Sequence, residues 1–293
     1  MTCPICLSTD IKLRYKKNLP AIQNVAEYSI THSELGIHLD IWECSRCRLA
    51  FIFDKATAGE LVKSYQRDRD ETIYLQEKDG RIKSAHKIIG KIKKIKPREH
   101  LLDIGCGTGI FISEAQKYGY EAWGIEPAPV NEQTQGASPK IINNYLEKAH
   151  AELPNNYFDI ITMFDVIEHL TDPHLNLKII NTKLKAGGLL VLSTPNWSSW
   201  LARLAKEKWY AIQPHHLYYF SKKNLVPLLN SHGFRILYIT SYQRYFSLSY
   251  ILIRLIAFNK IFKFLNKLSQ APWLKKIIIP INLHDELFIM AVK

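Results

Sequence analysis

Residues Leu101 to Gly109 read Leu-Leu-Asp-Ile-Gly-Cys-Gly-Thr-Gly, and no other stretch limits the fold as tightly. An apolar run ends at Asp103. Glycines follow at 105, 107 and 109, and Ile110-Phe111-Ile112 then opens a helical pattern. That is a buried strand, a tight turn and a helix start. Glycines at such a turn permit positive φ and let a ligand approach bare backbone. The Gly-x-Gly-x-Gly spacing is tighter than the dinucleotide fingerprint Gly-x-Gly-x-x-Gly.

The features that follow extend the pattern. Tyr120 to Glu126 reads as a second strand ending in an acid about twenty residues after the first glycine. In nucleotide-binding α/β folds an acid there accepts hydrogen bonds from ribose hydroxyls. A further buried strand, Phe158 to Met163, runs into Phe164-Asp165-Val166-Ile167-Glu168-His169-Leu170. Leu184 to Gly188 then precedes the apolar run Leu189 to Asn196. Strand and helix alternate from Leu101 to Leu192, which predicts a parallel sheet covered on both faces. Phe234 to Thr240 and Glu286 to Val292 are two late strands.

The glycine turn resembles motif I of the class I S-adenosylmethionine-dependent methyltransferases. The whole succession resembles the small-molecule members that include the ubiquinone-pathway O-methyltransferases, over roughly 65 to 240 and again in the last dozen residues. The resemblance implies an α/β fold, a Rossmann-like doubly wound, mostly parallel seven-stranded sheet whose late strands form an antiparallel edge hairpin. It implies S-adenosyl-L-methionine as cofactor. Asp103, Gly105, Cys106, Gly107 and Gly109 would face its methionine and ribose side, with Glu126 on the ribose. Adenine contacts would fall around Asn144, Tyr145 and Leu146, and Phe164 and Asp165 would lie near the methionine. Cys106 also reads as a small packing residue.

Four of the five cysteines form two pairs, Cys3/Cys6 and Cys44/Cys47, each spaced Cys-x-x-Cys. Two such turns can complete a tetrahedral Zn²⁺ site. Unpaired or redox thiols are the competing reading. Trp42, Leu49, Phe51 and Phe53 flank the second pair in strand-like alternation. A zinc knuckle before a methyltransferase domain resembles a bacterial subgroup linked to sugar and polysaccharide modification. The expected organisation is a zinc-ribbon-like module over 1–55, a helical connector over 56–98 and a methyltransferase domain over 99–293. In the connector Thr57 to Lys96 reads as helical. Ile82, Ala85, Ile88, Ile89, Ile92 and Ile95 form its apolar face, and Pro97 ends it.

The acceptor side rests on fewer signals. Asp165, Glu168 and His169 stand at i, i+3 and i+4, one face of a helical turn. Pro214 to Ser221 contains His215 and His216, in a loop that rims the acceptor pocket in related enzymes. These five residues are the catalytic candidates, and any of the three histidines could be the base. Two acids with two histidines could instead hold Mg²⁺, as a Glu-x-x-Glu-His motif does in some relatives. The implied activity is methylation of oxygen or nitrogen on a sugar, a lipid-linked intermediate or a similar metabolite. An RNA methyltransferase is the rival, but no Asn-Pro-Pro-Tyr-type motif stands after the fourth strand. A non-catalytic nucleotide-binding module is a third reading.

The net charge of +12 is unevenly placed: residues 173–293 hold 17 Lys/Arg and three acids. A positive C-terminal surface suits anionic membrane, nucleic acid or a phosphorylated substrate, or is simply a solvated face. In the insertion at about 241–283, Lys260, Lys263 and Lys267 share one helix face opposite Ile261, Phe262, Leu265 and Leu268. Such a helix can lie in a membrane interface, or pack on the domain or on a second subunit of a homodimer. Met1-Thr2-Cys3-Pro4 opens without a signal-peptide pattern, and no run of about 18 uncharged apolar residues exists. A cytoplasmic protein is expected, with peripheral contact at the inner membrane face as one option.

Overall fold

Cysteine pairs and aromatic residues organise the first strands, β1 (Ile11–Tyr15), β2 (Ile41–Cys44) and β3 (Ala50–Ile52), into an antiparallel meander. The computed structural model of the chain describes residues 1–18, 36–54, 57, 60, 77–97, 99–129, 140–258 and 260–293. Most of the helix expected from Thr57 lies outside these. Its described part is α1 (Lys78–Lys93), which buries Ala85, Ile88, Ile89 and Ile92 as the spacing requires. The helix stops short of Lys96, and Ile95 is exposed rather than on the buried stripe. Residues just before a proline are pushed out of the helical region, which sets that early end.

The alternating stretch then builds β4 (His100–Ile104), α2 (Ile110–Lys117), β5 (Glu121–Ile125), β6 (Lys140–Ile142), α3 (Leu146–Ala149) and β7 (Phe158–Phe164). It continues through α4 (Pro173–Lys183), β8 (Leu184–Pro195) and α5 (Trp200–Ala205). Strand β7 thus includes Phe164. Strand β8 also includes the Leu184 to Gly188 segment that precedes the apolar run, and an irregularity in the β7–β8 register, with Gly187 at φ 71°, absorbs the extra residues. Next come β9 (Tyr218–Tyr219), α6 (Lys222–Ser231) and β10 (Arg235–Ser241).

The last part contains β11 (Arg244–Ser247), α7 (Leu248–Phe258), α8 (Asn266–Ser269), α9 (Pro272–Lys276), β12 (Ile278–Ile281) and β13 (Glu286–Val292). The main sheet runs β10-β13-β8-β7-β4-β5-β6. Strands β4 to β8 are parallel, and β13 pairs antiparallel with both β8 and β10. This is the expected Rossmann-like, doubly wound sheet with an antiparallel edge. Apart from residues near their ends, its central strands are buried, as a sheet covered on both faces demands.

Two arrangements depart from expectation. The stretch read as one lysine-faced helix breaks into a 3₁₀ turn at Lys260–Leu265 and the single turn α8. Hydrogen bonds from Ser269 Oγ to the Asn266 carbonyl and from Ser249 Oγ to the Ser269 carbonyl draw this stretch back onto α7. The side chains of Lys260, Ile261 and Lys263 lie outside the description. Secondly, the Tyr218-Tyr219 pair forms β9, which extends the N-terminal meander to the order β1-β2-β3-β9. The cysteine-bearing module is therefore hydrogen-bonded into the acceptor-side loop.

Gly124 in β5 lies against the glycine turn. A methyl group there would meet Ile112 Cδ1 at 2.4 Å and Cys106 Sγ at 2.7 Å. Gly124→Ala should cost about 1–3 kcal/mol of folding free energy by overpacking. Urea unfolding curves would show it, and an unchanged midpoint would refute the packing argument.

Candidate active site

Gly105, Gly107 and Gly109 all adopt positive φ, at 71°, 60° and 76°. A side chain at Gly105 would also strike Val166, with Cβ 2.4 Å from its Cγ2. The turn is closed by neighbouring elements. The amides of Gly105 and Cys106 donate to the Ile125 carbonyl at 2.8 and 3.1 Å. Glu126 sits just past β5 and is almost fully buried. Its Oε2 accepts from the Gly107 amide at 2.8 Å and its Oε1 from the Ala128 amide at 3.1 Å. Asp103, at the end of β4, accepts from Thr162 Oγ1 at 2.6 Å. Burial pushes the Asp103 carboxyl up to about 7, and the nearby Glu126 charge adds to the shift.

A cavity of about 750 Å³ lies over the carboxyl ends of these strands, within the size range of ligand pockets. Asp103, Gly105, Cys106, Gly107, Glu126, Tyr145, Leu146, Phe164 and Asp165 line it. Gly109 and Asn144 are not among its lining residues. Gly109 serves as the left-handed residue before α2, and Asn144 Oδ1 accepts the Tyr145 amide at 3.0 Å. The Tyr145 hydroxyl is buried without a hydrogen-bond partner. A buried polar atom left so is costly and points to a ligand partner.

The cavity continues to the acceptor side, lined by Glu168, His169, His215 and His216. No regular helical turn carries Asp165, Glu168 and His169: Asp165 takes φ 55° and only Ile167–His169 forms a 3₁₀ turn, yet all three line the same cavity. Asp165 accepts from Ser193 Oγ at 3.0 Å and from Arg244 Nη2 at 2.5 Å. Glu168 Oε2 accepts from Thr194 Oγ1 at 2.9 Å, and its Oε1 has no partner. Burial, then the Asp165 charge, holds Glu168 well above the usual carboxylate range.

Arg244, Glu286, Tyr210 and Tyr242 also line the cavity and were not singled out from the sequence. Arg244 Nε donates to Glu286 Oε2 at 2.7 Å, and Tyr210 donates to Glu286 Oε1 at 3.3 Å. Burial raises Glu286 to about 7 against the opposing pull of Arg244. The available signal was an acid, Glu286, at the head of an otherwise apolar strand. A lone arginine among aromatic residues at the start of the insertion was the other.

The three imidazoles converge. A ring nitrogen from each of His169, His215 and His216 lies within 4.8 Å of the others. His169 Nδ1 is 3.0 Å from the His215 carbonyl, and the His216 ring stands edge-on to His169 at 4.6 Å. Burial lowers the pKa of all three, which favours neutral rings. His216 Nδ1 is buried without a partner. This nitrogen-rich set does not support the Mg²⁺ reading, since magnesium takes oxygen ligands, the Asp165 oxygens are engaged and Glu168 Oε1 is the one unpartnered carboxylate oxygen of the two acids.

At the other end of the chain, Cys3, Cys6, Cys44 and Cys47 bring all four sulfurs within 4.8 Å of one another. Cys3–Cys47 and Cys6–Cys44 separations are 3.6 and 3.5 Å. Four sulfurs about 2.3 Å from one Zn²⁺ stand about 3.8 Å apart in a tetrahedron, so the cluster fits zinc. No disulfide joins the described cysteines. The module reaches the histidines through Leu217. Its carbonyl accepts the Ile52 amide at 3.0 Å, and its amide donates to the Glu168 carbonyl at 2.8 Å.

The doubly wound sheet and the cavity over its glycine turn are those of a methyltransferase domain. Residues 76–239, more than half of the chain, match the family described as a methyltransferase domain, and the chain belongs to that family. It is similar to the ubiquinone biosynthesis O-methyltransferase of Cereibacter sphaeroides, 33% identical over 101 residues. That match covers 33% of this chain and 41% of the relative. The enzyme of the same name from Colwellia psychrerythraea is 31% identical over 149 residues, covering 46% and 60%. The chain thus spans about two to three fifths of the length of these relatives. A SAM-dependent methyltransferase structure from Archaeoglobus fulgidus aligns with TM-score 0.48 and 19% identity, over 71% of this chain and 94% of that one.

Asp103 generates a pH dependence. Its carboxyl holds a proton up to about pH 7 when folded, against about 3.9 in an unfolded chain. Between those values the folded state binds more protons, so stability falls as pH rises and levels off above 7. The shift corresponds to about 4 kcal/mol when fully developed. Asp103→Asn should remove this share, so urea unfolding at pH 5 and pH 8 should differ less than in the unmodified protein. Equal pH slopes in both proteins would refute it.

Proposed function

We propose that the protein transfers a methyl group from S-adenosylmethionine to an oxygen or nitrogen of a small molecule, such as a sugar or a lipid-linked intermediate. The observation that carries this reading is one continuous cavity. It joins the glycine turn and Glu126 at one end to three neutral histidines at the other. When bound, the cofactor supplies a methyl group activated on a sulfonium. The chain's residues fit it. The glycine turn permits close backbone approach. Glu126, held beside the turn by the Gly107 and Ala128 amides, is a carboxylate of the kind that accepts ribose hydroxyls in nucleotide-binding α/β folds. The unpartnered Tyr145 hydroxyl offers one more contact.

On the acceptor side His216 is the base of this reading. Its Nδ1 is buried, unpartnered and in the cavity wall. A neutral imidazole can take a proton from an acceptor hydroxyl or amine as the methyl arrives. The names of the ubiquinone relatives favour oxygen. The cavity is also walled by Arg244 and Tyr250 from the segment after β10, which suits a small acceptor better than a folded RNA. We further assign a structural Zn²⁺ to the four cysteines.

Glu126→Gln should weaken S-adenosylmethionine binding about tenfold or more, because hydrogen bonds to a charged acceptor contribute about 1.5–3 kcal/mol each. Calorimetry would measure it, and unchanged affinity removes Glu126 from the site. His216→Gln should bind the cofactor normally yet lose formation of S-adenosylhomocysteine with metabolite and lipid fractions. Full turnover in that variant would eliminate His216 as base.

Metal analysis of the purified protein should return one zinc per chain. Replacing Cys3 and Cys44 by serine should abolish it and lower the melting temperature. A metal-free protein with four intact thiols and an unchanged melting temperature would sink the assignment.

A further inference from the structure

The segment between β10 and β13 has an outer face that the cavity does not use. Residues 242–284 contain seven Lys/Arg and no Asp or Glu. Helices α8 and α9 both pack against α7. Tyr250 and Arg254 of α7 line the cavity, so this small assembly forms one of its walls. Elsewhere on it, large apolar side chains stand in solvent: Phe264 is 76% exposed and Trp273 58%. Lys267, Lys275 and Lys276 are exposed beside them in sequence. The end of the segment is also tied to α5. Trp200 Nε1 donates to the Leu283 carbonyl at 3.0 Å, bringing α5 and its exposed Leu204 alongside.

Two kinds of occupant could cover such a face, and the composition separates them. Protein interfaces are depleted in lysine at their cores. Interfacial membrane segments combine Trp, Phe and Leu with lysines whose heads reach the phosphates. Anionic lipid also complements the exposed Lys267, Lys275 and Lys276, in a segment without an acid. No helix among the described residues is long and apolar enough to cross a membrane, so contact would be from one side. We propose that the outer face of the 248–283 segment docks on an anionic phospholipid surface. The docking itself does not depend on the proposed chemistry. If that chemistry holds, docking places the cavity wall formed by α7 against the bilayer and favours an acceptor with a lipid tail.

The test uses the full chain without cofactor and vesicles of phosphatidylcholine, with and without phosphatidylglycerol. The unmodified protein should sediment with the anionic vesicles at low salt, less at high salt, and little with the neutral ones. Lys275→Glu with Lys276→Glu should lower partitioning by about tenfold or more. Phe264→Ser with Trp273→Ser should do the same through the apolar side, and Lys267→Glu alone should give a smaller loss. Melting temperature and S-adenosylmethionine affinity of each variant report its folding. Absence of sedimentation of the unmodified protein at low salt would overturn the proposal, as would equal binding to neutral vesicles. So would concentration-dependent dimerisation blocked by the same substitutions. Failure to bind S-adenosylmethionine would instead strike the methyltransferase reading and leave vesicle docking standing.

Discussion

The Arg244 guanidinium holds the two halves of the site together. It bridges Asp165, just past β7, and Glu286, at the head of β13, from its own place at the start of β11. These elements are far apart in sequence. Glu168 and Asp285 add further carboxyls nearby, so the region is rich in acids with one arginine bound among them. A carboxylate drawn out of water without a cation is costly, and solvent screens part of this here, since Arg244 and Asp165 keep 26% and 33% of their side-chain surface exposed. The segment after β10 is thus tied to the catalytic strands by charge as well as by packing.

A second constraint acts from the opposite side. The four-cysteine module is joined to the domain through β3 and β9, and its core is continuous with that of the domain. The Asn224 side chain donates to the Cys47 carbonyl at 3.3 Å, and His174 meets the Pro4 carbonyl at 3.0 Å. Leu217 stands between Ile52 and Glu168 in the hydrogen-bond chain, one residue from His216. The module therefore braces the loop that carries two of the three histidines.

The cofactor end and the acceptor end differ in how they are built. Around the glycine turn nearly every polar group is satisfied within neighbouring strands, and the cavity there is shaped by backbone. The acceptor end is shaped by side chains from separate segments, and several of its polar atoms lack partners. Backbone sites of the first kind bind a constant ligand. Side-chain sites of the second kind vary with the substrate.

The sequence alone determined the sheet, its antiparallel edge, the glycine turn and the acid after β5. The alternating strands and the turn follow from local periodicity and from glycine's freedom at positive φ, which need no partner to be read; the antiparallel edge came from the family resemblance that these motifs carry. It also determined the cysteine pairs, because short spacing fixes two sulfurs on one turn. Tertiary structure decided the rest. It brought Asp165, Glu168 and His169 to one cavity on a left-handed residue and a 3₁₀ turn instead of the expected helical turn. It made Tyr218 and Tyr219 a strand, which only the meander's free edge could reveal. It brought in Arg244 and Glu286, whose meaning depends on contact across 42 residues of chain. It also broke the lysine-faced helix, because hydrogen bonds to α7 outweigh a weak local preference.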